Sequence, residues 1–62
     1  MSTRTVVHNI SEQYKVVEYQ VTDHGKIVET YYKVRDRFDY EYEGRFDELS
    51  DAIAYIRDIT FS

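Results

Sequence analysis

The sequence predicts an α+β domain: a three-stranded antiparallel meander followed by one C-terminal helix packed on one face (β-β-β-α), with an extra N-terminal edge strand as an option. Three observations carry this. Apolar and polar residues alternate with period two over residues 28–46, as strands with one buried face require. After Phe46 the apolar spacing changes to Leu49, Ala52, Ile53, Ile56 and Ile59, the stripe of a helix lying on a core. Proline is absent, and seven tyrosines with three phenylalanines bring aromatics to 16% of the chain, a composition suited to strands.

Residues 1–10 (MSTRTVVHNI) either add an edge strand through Thr5, Val6 and Val7 or form a loosely attached tail. Residues 11–62 make the single β-β-β-α domain. Its first strand is expected over residues 12–22, with Val17, Tyr19 and Val21 facing inward and Tyr14 facing outward. His24-Gly25 fits a two-residue hairpin turn, which sets Asp23 opposite Lys26 and Val21 opposite Val28.

The alternation over residues 28–46 would span about 60 Å as one strand, so a turn has to interrupt it. The even positions, among them Tyr32, Val34, Tyr40 and Tyr42, face inward, and Tyr31, Lys33 and Arg35 face outward. Opposite-charge pairing selects the register with Arg35 opposite Asp39, Lys33 with Glu41 and Glu29 with Arg45. Asp36-Arg37-Phe38 is left as a three-residue loop. The helix is expected over residues 48–59, with Asp47 as its N-cap and Glu48 and Asp51 where the helix dipole favours negative charge.

Length and composition exclude several function classes. A 62-residue chain buries only about 60% of its unfolded surface, which leaves little room for a large active-site cavity. Cysteine is absent, so neither a disulfide framework nor a Cys-based zinc site holds the fold. No apolar run approaches the roughly 18 residues of a membrane-spanning helix, and no signal-peptide core follows Met1, so a cytoplasmic location is expected. Twelve acidic against eight basic residues give a net charge of −4, which disfavours non-specific binding to DNA or to anionic lipid.

The chain has no glycine-rich phosphate loop, and Ser2, Ser11, Ser50 and Ser62 have no His or Asp in a catalytic arrangement. His8 lies in the N-terminal segment and His24 at a hairpin tip, without metal-ligand spacing. The expectation is a protein that is not an enzyme and uses no cofactor or metal.

The candidate binding residues form two groups. Tyr14, Tyr31, Lys33 and Arg35 combine aromatic and basic side chains on the outer sheet face, the mixture that supplies interface hot spots. Asp39, Glu41 and Glu43 follow on the next stretch and would steer a basic partner. A solvated strand edge and plain β-propensity account for the same residues without any function.

Over residues 14–55 the order of strands and helix, with Gly44, Phe46, Asp47 and Ala52, loosely resembles the three-stranded DNA-binding domains of the plant AP2 and phage integrase-arm type. Those modules use arginines and tryptophans on the sheet face, whereas this chain has no tryptophan and is net acidic. No site residue is carried over from them. In size and style the chain also resembles the compact accessory proteins that bacteriophages encode, which often target host enzymes. The leading expectation is therefore a small non-catalytic protein-binding module, a regulator or inhibitor of a partner with a basic surface. The alternatives are a nucleic-acid-binding module using the outer sheet face, and a structural homo-oligomer, a homodimer for instance, formed by edge-strand pairing. No membrane partner is expected.

Overall fold

A computed structural model describes residues 1–61. In chain order its elements are β1 (Ser2–Asn9), β2 (Tyr14–Asp23), β3 (Lys26–Asp36) and α1 (Leu49–Phe61). The strands form one antiparallel sheet in the order β1-β2-β3, followed by the helix. This is the β-β-β-α architecture that the alternation and the helical stripe predict. Among the described residues no helix is long and apolar enough to cross a membrane.

The segments that fill the three strand positions differ from the expectation. The N-terminal residues form a full eight-residue strand, paired with β2 from Ser2 opposite Thr22 to Asn9 opposite Lys15. Residues 39–46, expected as the third strand, instead run along the free edge of β3 and touch it through two isolated bridges, Arg35 with Glu41 and Tyr32 with Phe46. The Asp36 carboxylate accepts hydrogen bonds from the Phe38 and Tyr40 amides (2.8 and 2.9 Å). That closes a turn in which Asp39, at φ 63°, takes the left-handed conformation usually given to glycine. Tyr42 then donates its amide to the Val34 carbonyl, and Phe46 exchanges both backbone bonds with Tyr32. Two residues on β3 thus match four on the segment, and the excess is absorbed around Gly44 at φ 96°. A regular ladder cannot form across that excess.

The β2–β3 turn is the expected one, with Asp23 opposite Lys26 and both His24 (φ 51°) and Gly25 (φ 79°) left-handed, as a type I′ hairpin requires. Three residues further on the register shifts. Thr22 faces Ile27 but Val21 faces Glu29, so Val28 is an unpaired bulge. A shift of one residue exchanges the faces of a strand, and this overturns the expected orientation of β2. Val16 rather than Val17 meets Val34 under the helix. Tyr14, expected on the outer face, turns inward against the core, and Tyr19 and Val21, expected inside, turn outward.

The core consists of Val16, Val34, Ala52 and Ile56, with Ile10, Tyr14, Tyr32, Tyr42, Phe46, Leu49 and Tyr55 packed around it. The helix begins one residue later than expected. The Glu48 carbonyl, rather than that of Asp47, accepts its first bonds, from the Asp51 and Ala52 amides. The 13-residue helix is about 20 Å long, whereas the 11-residue β3 is about 36 Å. α1 therefore covers only the end of the sheet remote from the His24-Gly25 turn. It contacts β2 and β3 but not β1, and the molecule measures 42 × 20 × 17 Å.

Ile56, 5% exposed, sits at the centre of this contact. Ile56→Ala should lower unfolding stability by about 2–4 kcal/mol in urea titration. Ile27→Ala, on the uncovered arm where Ile27 is 54% exposed, should change stability by less than about 1 kcal/mol.

Candidate protein-binding surface

The helix occupies one face, and the other face carries the sheet's own side chains together with Asp39, Glu41 and Arg45 from the segment beside β3. In the Tyr19 row Thr5, Tyr19 and Tyr31 lie side by side, and in the next row Val7, Val17 and Lys33. Tyr19 and Tyr31 stack with ring centroids 5.0 Å apart and planes 11° from parallel. The Arg45 guanidinium lies over Tyr31, 4.1 Å from the ring centroid, a cation–π contact. Arg45 is held there by an ion pair with Glu29, which raises the arginine pKa above its usual value. Val17 is buried in this face by its neighbours, while Val7 remains 52% exposed.

Ion pairs line the β3 side of the face. Lys15 binds Asp39 at 2.6 Å, Lys33 binds Glu41 at 3.2 Å, and Arg35 binds Glu41 at 3.1 Å and the Asp39 carbonyl at 3.2 Å. Lys15 lowers the Asp39 pKa, and hydrogen bonding with Tyr19 is the largest influence raising that of Arg35.

The residues singled out in the sequence therefore separate. Tyr31, Lys33, Arg35, Asp39 and Glu41 come together on the outer face and its rim. The pairs Lys33–Glu41 and Glu29–Arg45 form even though the backbone register is shifted, because long side chains reach diagonally. Tyr14 is not part of this surface. Its ring lies 6.1 Å from that of Tyr42 on the helix side, and the contact with Tyr14 raises the Tyr42 pKa. Glu43 has no ion-pair partner among the described residues, in contrast to Asp39 and Glu41.

Tyr19, Arg45 and Val7 belong to the surface but were not among the expected residues. The available signal was the adjacent apolar pair Val16-Val17. Two successive valines in a central strand leave its parity undecided.

On the opposite face a polar row joins β1 to β2. His8 meets Glu18 at 3.0 Å, Gln20 also bonds the Glu18 carboxylate, and Arg4 bonds Gln20 at 3.0 Å. The bond from Gln20, then that from His8, holds the Glu18 pKa below its ordinary value. Nearby, burial raises the pKa of Tyr32, with the Glu18 charge adding to the effect. His8 is thus a part of the sheet, as the edge-strand option for residues 1–10 requires.

A separate groove of about 540 Å³ lies between residues 10–13 and the last turns of α1, walled by Ile10, Ile53, Ile56 and Phe61. No protein-family model, curated protein or solved structure matches the chain.

Since the folded-state pKa of Glu18 is depressed, its contribution to stability is complete above its unfolded value near 4.5. The contribution is lost as the pH falls through the native value. Glu18→Gln should therefore melt below wild type at neutral pH, and the gap should narrow steadily in melts taken towards about pH 3.

Proposed function

We propose that this chain is a small non-catalytic protein-binding module that regulates or inhibits a partner by occupying its surface. The observation that carries the reading is the stacked Tyr19–Tyr31 pair, with Arg45 over it, on the sheet face that the helix leaves free. Tyrosine and arginine dominate interface hot spots, where a rigid aromatic loses little conformational freedom on binding. Here each ring is already fixed by its neighbour. Val7, 52% exposed, adds apolar area beside the rings, and the ion pairs along the β3 side supply a polar rim.

Charge supports a basic partner. Asp39 and Glu41 are compensated within the chain, whereas Glu43, Asp47, Glu48 and Asp51 have no ion-pair partner among the described residues. That unbalanced group, where the chain enters α1, would steer a basic surface and fix its orientation. The nucleic-acid alternative loses support from the same pairs: Lys33 and Arg35 are engaged by Glu41, so fewer cations remain to release counterions from phosphate.

Affinity capture from the lysate of the source cells, with and without nuclease, tests the reading. A protein should be captured under both conditions. Tyr31→Ala should weaken its binding by about 2 kcal/mol, roughly thirtyfold, with an unchanged circular dichroism spectrum. Phe38→Ala, in the turn after β3, should leave binding intact. Capture abolished by nuclease would favour the nucleic-acid alternative, and loss of binding in Phe61→Ala alone would move the site to the apolar groove.

A further inference from the structure

The two edges of the sheet are unequal. The free edge of β3 is occupied near its C-terminal end, where Asp36 donates to the Tyr40 carbonyl, Tyr42 to Val34, and Tyr32 and Phe46 to each other at 2.8–3.0 Å. Towards the hairpin turn the same edge carries the Val28 bulge, Lys26 and the Glu29–Arg45 pair. Bulges and charges of this kind are the usual protection against edge-to-edge association. β1 has none of it. Its eight residues pair with β2 without a bulge, contain no proline, and include one formal charge, Arg4, which bonds back along the sheet to Gln20. The helix does not reach β1. A row of backbone N–H and C=O groups therefore faces outward along a regular strand rich in β-branched residues.

We infer that this edge pairs with β1 of a second copy of the chain, antiparallel, to give one continuous sheet with both helices on the same face. The inference concerns the edge and does not rest on the outer-face reading. A two-fold axis can join two antiparallel edges in this way only when it stands perpendicular to the sheet, so that some residue faces itself. Centring on Arg4 sets two guanidinium groups together, and centring on Thr5 sets Arg4 against the partner's Val6.

Centring on Val6 removes both conflicts and pairs residues 3–9 with themselves in reverse. Val6 meets the partner's Val6 on the helix side, and Val7 meets the partner's Thr5 on the outer side. Arg4 falls opposite the partner's His8, which is bonded to Glu18 in its own sheet at 3.0 Å. An arginine beside a histidine–carboxylate pair is a complementary arrangement. Val6 and Val7, 38% and 52% exposed at the middle of the strand, become interior positions. This self-complementary order argues for a second copy over an unrelated strand. The paired edges bury less than the roughly 1,600 Å² of a standard interface, so the expected dissociation constant is about micromolar.

Sedimentation equilibrium of the full chain over a range from about 1 μM to 1 mM tests the inference. The expected result is a concentration-dependent rise from 7.5 kDa to twice that mass. Val6→Lys should weaken the dimer at least about tenfold by placing like charges across the axis. The chain lacks cysteine, so Val6→Cys gives a second measurement that does not depend on how well the lysine variant folds. It should form a disulfide-linked dimer under mild oxidation, and Thr3→Cys should not. A monomer throughout the range would overturn the inference, as would a dimer unaffected by Val6→Lys or cross-linked equally well through either cysteine. A monomer that takes up a foreign peptide strand along β1 would also overturn it, and would leave the outer-face reading untouched.

Discussion

Val16 and Val34 face each other across the β2–β3 ladder, and Ala52 and Ile56 close over them. Among the described residues, these four are the only place where two strands and the helix meet with solvent wholly or nearly excluded. The rest of the structure is arranged around that contact. The Val28 bulge brings Val16 rather than Val17 under the helix. Residues 39–46 lie where they do because Tyr42 and Phe46 seal the side of the contact, with Tyr42 and Tyr55 centred 6.2 Å apart and Phe46 and Tyr55 5.4 Å apart. A core this small needs an aromatic wall, since a domain of this length has little aliphatic area to bury. Four of the seven tyrosines, Tyr14, Tyr32, Tyr42 and Tyr55, serve that need.

Much of the fold was legible because its signals were local. The helical stripe, the His24-Gly25 turn and the inward parity of Tyr32 and Val34 each depend on neighbouring residues. The parity of β2 was not legible. Its even positions offer Tyr14 and Val16, its odd positions Val17, Tyr19 and Val21, and only the position of the helix decides which set is covered. A helix about half as long as the sheet needs apolar residues only at the covered end, where Tyr14 and Val16 lie. The third-strand expectation failed for a related reason. Alternation continues through residues 39–46, but Asp39 and Gly44 take left-handed conformations that no period-two pattern encodes.

The candidate surface was legible in its charges and less so in its aromatics. Lys33–Glu41 and Glu29–Arg45 tolerate a register error because flexible side chains span it, whereas a ring stack such as Tyr19–Tyr31 requires the correct face and row. The polar row His8–Glu18–Gln20–Arg4 shows the same dependence. It lies on the helix-side face, partly on β1, which the helix does not contact, and it needs β1 to be a strand. The sheet is thus sealed at one end and open at the other, within a single set of three strands.

That division has a consequence for motion. Opening a backbone hydrogen bond at the covered end disturbs the packed valines and the aromatic wall, and so requires nearly global unfolding. At the hairpin end, past Val21 and Glu29, no helix or loop resists it, and the bulge has already removed one ladder bond. Amide protection against exchange with solvent should therefore grade along each strand instead of dividing by strand. β2 carries both extremes within ten residues. One end of the molecule is a fixed anchor and the other a compliant finger, which can bend and twist on the time scale of local opening while the anchor keeps its shape.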